Sequence, residues 1–150
     1  MDDNFENLDN WEHEIQVGGF GTGSFDWTTD DPLNSYIDEE GLHIVPTLTL
    51  DTTSYTVSEL LNGTTLNLTS MGVCTSGNVP DCVVTSNATA GTILNPVRSA
   101  RLTTKGKKTI KYGRVEVVAK LPAGSWLWPA IWYVVCQLSR DVKSNGKLLT

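Results

Sequence analysis

Positive charge is scarce in this chain. Eleven Lys and Arg stand against 17 Asp and Glu in 150 residues, for a formal charge of −6, and the basic residues form no block. Phosphate backbones are held by clustered cations, so nucleic acid is not an expected partner. Long apolar runs are missing as well. The longest, Ala130 to Cys136, falls far short of the ~20 residues that span a bilayer, so no membrane segment is encoded. Gly18, Gly19, Gly21 and Gly23 are not followed by Lys-Ser/Thr, which excludes a phosphate loop. There is no G-x-S-x-G elbow and no Cys/His pair in a nucleophile context. His13 and His43 lack a second histidine at ligand spacing, so each reads as salt-bridged or exposed, and no metal or other cofactor is expected. Internal repeats and long amphipathic helices are also absent. Met1 is followed at once by Asp2 and Asp3, with no apolar leader segment.

Three cysteines are present. Cys74 and Cys82 bracket a short polar loop with Gly77, Asn78 and Pro80, a spacing that suits a local disulfide in a secreted protein. Cys136 is left over. Three sequons, at Asn62, Asn67 and Asn87, flank the same loop and point to N-glycosylation and an extracellular location. The competing reading is a Thr- and Asn-rich loop with chance matches.

The length suits one domain or part of a larger all-β one. Turn residues punctuate short β-rich runs, which favours an all-β fold. Leu42, Ile44, Leu48 and Leu50 share parity around Pro46, predicting one apolar strand face with an edge or bulge at the proline. Glu39-Glu40-Gly41 predicts the turn before it. Residues 51–92 read as a long surface excursion with one short strand near Thr65–Leu68. Ser99 to Thr103 predicts another strand, and Lys105-Gly106-Lys107 a turn. Arg114 to Lys120 alternates with period two, Val115, Val117 and Ala119 on one side, as a strand with one buried face would.

Chemistry-bearing candidates are few. Trp126, Trp128 and Trp132 share parity. Indole rings on an open sheet face make platforms for the C–H faces of sugars, and the same rings serve equally well as core. Glu116 sits mid-strand between apolar neighbours, where a carboxylate meets solvent or a ligand. Arg101 lies between small neighbours, and Asn34 follows the Asp30-Asp31-Pro32 turn, which it can cap.

The segments Trp11 to Ile15, Asn34 to Ile37, Gly41 to Thr49 and Asn95 to Leu102 lead to Lys111-Tyr112-Gly113-Arg114-Val115-Glu116 and Trp126-Leu127-Trp128-Pro129-Ala130-Ile131-Trp132. With these motifs the chain resembles glycoside hydrolase family 16, in its laminarinase-like branch of endo-β-1,3-glucanases and β-1,3-glucan-recognition proteins. The resemblance covers residues 1–132 and leaves 133–150 as a non-homologous tail. It implies a concanavalin-like β-jelly-roll sandwich of two antiparallel sheets with a sugar cleft on the concave one, here truncated, with the C-terminal strands missing. It also implies a β-glucan polysaccharide as partner, a monomeric protein, and Glu116 and Trp132 pointing into the cleft. Asn34, Arg101 and Trp128 are further cleft candidates.

Two departures qualify what the resemblance implies. Val118 stands where relatives carry Arg, which removes a charged donor. The family's catalytic strand reads Glu-x-Asp-x-Glu, or a bulged version of it, placing two carboxylates about 5–5.5 Å apart for retaining hydrolysis. No such pattern occurs in the 150 residues. No catalytic residue is therefore assigned. The expectation is an inactive relative of a glycosidase, with a non-catalytic glucan-binding protein as the alternative and a non-functional product as a third class. The break after Trp132 suits intron read-through, with a frameshift or a real tail as the other possibilities. An incomplete sandwich is also expected to leave Val115, Val117 and Ala119 partly uncovered.

Overall fold

The computed structural model describes residues 2–133. The expectations for the tail from Val134, including Cys136, lie outside the described residues. The chain divides between Lys111 and Tyr112 into two units, and all regular secondary structure among the described residues lies in the first.

The first unit is mostly β, with short strands and shorter helices. In chain order these are β1 (Glu12–His13), β2 (Asp26–Thr28), β3 (Ser35–Asp38), β4 (Gly41–Ile44), β5 (Thr47–Leu48), α1 (Thr49–Thr52), α2 (Val57–Leu61), β6 (Asn62–Asn67), β7 (Val83–Asn87), β8 (Val97–Ser99) and β9 (Leu102–Thr103). β8 is central in a three-stranded sheet, between β2 and β5; β1–β9, β3–β4 and β6–β7 form two-stranded ladders. β2 and β8 run parallel, in the register Asp26↔Val97 to Thr28↔Ser99, whereas every other pair is antiparallel. The run expected as one strand over Ser99 to Thr103 is two: it leaves β8 after Ser99 and joins β1 at Leu102.

The predicted turn at Glu39-Glu40-Gly41 closes the β3–β4 hairpin, with Asp38 Oδ1 accepting from the Glu40 backbone N–H at 2.8 Å. Pro46 falls in the gap between β4 and β5, as a residue without an N–H donor should. The apolar face expected there is not buried. Ile44, Leu48 and Leu50 are all exposed, and Leu50 lies in α1 rather than on a strand. Strand parity puts residues on a face; burial requires a second layer over that face.

Residues 51–92 depart most from the sequence reading. They are not a surface excursion, because Leu60, Leu66, Leu68 and Cys82 form half of the buried apolar cluster. Ile15, Val17, Trp27 and Leu94 supply the rest. Thr56 and Glu59 start α2 with a capping box, the Thr56 hydroxyl accepting from the Glu59 N–H and the Glu59 carboxylate from the Thr56 N–H. The β6–β7 hairpin follows, with Leu66 and Leu68 inward and a bulge between Asn62 and Thr65. The Cys74–Cys82 disulfide forms as expected, and the loop it closes is anchored by Cys74 N–H donating to Leu68 O at 3.3 Å. Thr75 ties the same loop to Ile15, its Oγ1 accepting from the Ile15 N–H at 2.7 Å.

In the second unit, Tyr112 to Tyr133 forms no strand. The predicted ladder at Arg114–Lys120 is not made: Val115 and Val117 are exposed, and Val118 is fully so. Alternation supports a strand only where a neighbour completes the hydrogen bonds and covers the apolar side. The further strand expected from Trp126 is likewise not formed over its described residues.

Leu68 has no exposed surface. Leu68→Ala is expected to lower unfolding free energy by about 2–5 kcal/mol through lost burial and a cavity. Opening the short disulfide loop with Cys74→Ser and Cys82→Ser is expected to cost about 2–3 kcal/mol. Chemical denaturation of the two proteins should show cooperative transitions displaced by these amounts; unchanged midpoints would contradict the packing described.

Candidate functional site

The sequence reading passed over Arg98, which organises the polar centre of the first unit. Its side chain projects from β8, the strand between β2 and β5, and only 6% of it remains exposed. Its Nη2 donates to Asp31 Oδ2 at 2.8 Å and to Thr29 Oγ1 at 3.4 Å, and Nη1 donates to the Thr52 carbonyl at 3.4 Å. The guanidinium lies 4.8 Å from the Trp27 ring centroid, a cation–π contact. The Leu33 backbone N–H, aided by Arg98, holds the Asp31 carboxyl below the usual carboxylate range. An open cleft of about 460 Å³ lies against this group, with Trp27, Thr29, Asp31 and Arg98 and the apolar Ile15, Met71 and Val73 in its lining. Trp27 Nε1 and Arg98 Nε are buried without a hydrogen-bond partner among the described residues. The available signal was a lone arginine in the short run Val97-Arg98-Ser99, at a position that a central strand turns inward.

Of the sequence candidates, Asn34 and Arg101 lie in the first unit and Glu116, Trp128 and Trp132 in the second. Asn34 is fully buried, and its Nδ2 donates to Val45 O at 3.0 Å, Thr47 Oγ1 at 2.9 Å and Arg98 O at 3.3 Å. It joins three segments of backbone. Arg101 sits at the corner between β8 and β9, with Nε donating to Glu14 Oε2 at 2.6 Å and the guanidinium 3.8 Å from the Phe20 ring centroid. Phe20 reaches this position from the glycine loop, where it adopts φ 52° beside Gly19 at φ 66°. A Cβ on Gly19 would stand 2.2 Å from the Ser24 carbonyl oxygen, so the turn requires glycine. Nearby, burial pushes the Asp26 carboxyl up, with its own backbone N–H and then the Arg101 charge opposing.

Glu116 is exposed and ion-paired with Arg114. Trp126, Trp128 and Trp132 are 90%, 78% and 57% exposed, so they lie at the surface rather than in a core. No strand imposes the shared parity expected of them, and Trp126 has φ 68°.

Burial pushes the His13 imidazole below its usual value, opposed by the charge of Asp30, and its Nε2 lies 2.6 Å from Ser35 Oγ. His43 Nε2 is 2.8 Å from Asp38 Oδ1, and its ring stacks on Tyr36. Among the described residues, no three His, Cys, Asp or Glu side chains group as a metal would need, and no helix is long and apolar enough to cross a membrane. The sequon asparagines Asn62, Asn67 and Asn87 all lie on the β6–β7 hairpin, Asn62 opposite Asn87.

The fold and these groups define a β-rich protein with tryptophans exposed at its surface. The chain's relatives are β-1,3-glucan-binding proteins and β-glucanases. It is 40% identical over 138 residues to a β-1,3-glucan-binding protein of Penaeus monodon, covering 88% of this chain and 36% of that protein. It is 34% identical over 130 residues to β-1,3-glucan-binding protein 1 of Galleria mellonella, covering 82% of this chain and 25% of the relative. A 34-residue stretch is 59% identical to a β-glucanase of Rhodothermus marinus, 23% of this chain and 12% of that enzyme. The chain thus spans little more than a third of the length of even the most extensively covered of these three. No protein-family profile matches the chain, and no solved structure does.

Because the Asp31 carboxyl is depressed in the folded protein, it contributes stability that is present above its unfolded value near pH 4. That contribution is lost as pH falls through the lower folded value. Asp31→Asn should therefore lower the melting temperature at pH 7 and converge on the unmodified protein in strong acid. Melting curves from pH 7 to pH 2 that stay parallel would count against an Asp31 carboxyl held low by the Leu33 N–H and Arg98.

Proposed function

We propose that this chain is a non-catalytic β-1,3-glucan-binding protein of the laminarinase-like branch of glycoside hydrolase family 16. The observation that carries this reading is the 40% identity to a β-1,3-glucan-binding protein across nearly the whole chain. Two further features support it. Trp128 and Trp132 are exposed indole side chains, a residue type that stacks on the C–H faces of pyranose rings. The 150 residues contain no Glu-x-Asp-x-Glu or bulged equivalent, so the paired carboxylates of retaining hydrolysis have no counterpart in this chain. Glu116, close to Arg114, is a hydroxyl acceptor rather than one member of a catalytic pair.

A hydrolase reading rests on the short match to a β-glucanase. It would require catalytic carboxylates from residues other than those assigned to binding. In the binding reading, Arg101 supplies a donor to glucan hydroxyls, while Asn34 acts through the backbone it fixes. The Cys74–Cys82 bridge suits an extracellular setting. Asn62, Asn67 and Asn87 then become glycan acceptors on one hairpin.

The test is sedimentation with insoluble β-1,3-glucan, using cellulose as the control. The unmodified chain should co-sediment with the β-1,3-glucan. Replacing Trp128 and Trp132 together by alanine should weaken binding by at least tenfold, since each stacking contact contributes about 1 kcal/mol. No reducing ends should be released. Reducing ends above a blank, lost on Trp132→Ala, would establish the hydrolase reading instead.

A further inference from the structure

We propose that the Lys108–Thr109 peptide bond is a processing site for an endopeptidase of trypsin-type specificity, and that cutting it frees the folded first unit from the tryptophan-bearing segment. The site itself stands apart from the glucan-binding reading; its consequence for glucan attachment rests on that reading. The argument starts from where the cations lie. Residues 1–97 contain no lysine or arginine. The first two, Arg98 and Arg101, are held by the fold. Arg98 is 6% exposed and bonded to Asp31, while Arg101 pairs with Glu14 and lies 3.8 Å from the Phe20 ring centroid. A protease that reads a lysine or arginine through a carboxylate in its pocket therefore meets no exposed target before Lys105.

From Lys105 to Tyr133 every residue is exposed, and none lies in a strand or helix. A protease takes up several residues of extended backbone, so burial and hydrogen bonding decide where it cuts. Lys105 to Lys107 form a turn, with Gly106 at φ 77°, and the Lys107 and Lys108 N–H groups both donate to Thr104 O at 2.9 Å. Past that turn, the Thr109 and Ile110 backbones make no hydrogen bond among the described residues. The side chains separate the lysines further. Lys107 Nζ donates to Trp11 O at 2.7 Å and lies 3.4 Å from Glu12 Oε1, contacts it would surrender on entering a protease pocket. Lys108 enters no ion pair among the described residues. The residue after it is Thr109 rather than proline, which leaves the amide open to attack. The cut spares the core, because the buried apolar cluster runs from Ile15 to Leu94, the Cys74–Cys82 bridge falls within it, and β9 ends at Thr103. In the reaction water adds across the amide: the Lys108 carbonyl carbon gains the hydroxyl, the Thr109 nitrogen gains a proton, and nothing is oxidised or reduced.

The full chain is digested with a trace of trypsin, and the products are followed by intact mass. The first product should be residues 1–108. Arg98 should be cut at least about a hundredfold more slowly than Lys108, because cutting inside β8 needs the fold to open. A synthetic peptide of residues 95–115, which cannot build the sheet around β8, should lose both bonds at comparable rates. Subtilisin, which does not read charge, should likewise leave residues 1–103 whole at first. Lys108→Gln should slow the first tryptic cut severalfold with the melting temperature unchanged. A first tryptic cut after any other lysine or arginine, an early subtilisin cut within residues 1–103, or a Lys108→Gln chain cut as fast as the unmodified one overturns the site. The digest is then sedimented with insoluble β-1,3-glucan. The 1–108 fragment should bind at least tenfold more weakly than the uncut chain, as the joint replacement of Trp128 and Trp132 does. A fragment that sediments as the uncut chain does overturns the release. An uncut chain that stays in solution overturns the glucan reading and leaves the cleavage site, read from mass alone, standing.

Discussion

The first unit depends on buried side-chain donors that satisfy backbone carbonyls its short strands leave open. Every buried carbonyl needs a donor, and ladders of two or three strands cannot supply one to each. Asn95 Nδ2 donates to Val17 O at 3.1 Å and to Asp26 O at 3.0 Å. Thr49 Oγ1 donates to Asn95 O at 2.7 Å, and Ser86 Oγ to Glu59 O at 2.8 Å. Asn34 and Arg98 do the same for Val45, Arg98 itself and Thr52. All but the Asn34–Val45 bond join residues far apart in sequence, so together they hold the ladders in place where a continuous sheet would otherwise do so. Loss of one such amide strands a carbonyl as well as removing a contact, and that asymmetry makes these positions sensitive.

This constraint explains what the sequence made legible. Local signals transferred well: the Asp38–Gly41 turn, the break at Pro46 and the Cys74–Cys82 pairing each depend on a few adjacent residues. The β-rich class followed from turn spacing. The reading of residues 51–92 failed because Leu60, Leu66 and Leu68 are sparse among Thr, Ser and Asn, and apolar density was taken as the measure of burial. The Thr56–Glu59 capping box was available in the sequence and marks a helix start within that stretch. Residues 114–120 failed in the opposite direction. Their alternation is clean, yet a strand is a property of a pair, and no partner is made among the described residues. Of the side chains that tie the first unit together, Asn34 and Arg101 were singled out as cleft candidates, while Arg98 was passed over because a single charge inside a three-residue strand has no period to betray its direction.

The orphan donors Trp27 Nε1 and Arg98 Nε mark where the fold leaves polar groups short of partners among the described residues. Arg98 is needed by Asp31 and Thr29, and its planar fork cannot also turn Nε toward an acceptor without giving up one of them. Trp27 packs in the apolar cluster with its N–H left over. Local rules are usually broken where function or strain compensates.

The tryptophans of the second unit present the complementary case. Trp126, Trp128 and Trp132 lie within seven residues, all exposed, in a stretch without regular structure. A ligand that seated all three rings would have to order both backbone and side chains, at roughly 0.5–1.5 kcal/mol per immobilised side chain. Stacking returns a similar amount per ring, so a single short sugar would gain little there. A polymer changes the balance, because once one ring is seated its neighbours meet the next sugar units at high effective concentration. The composition of this segment, with aromatic platforms close together and few charges, therefore fits an extended glucan better than a monosaccharide. Under the glucan-binding reading, affinity at the second unit should grow with the length of the glucan chain.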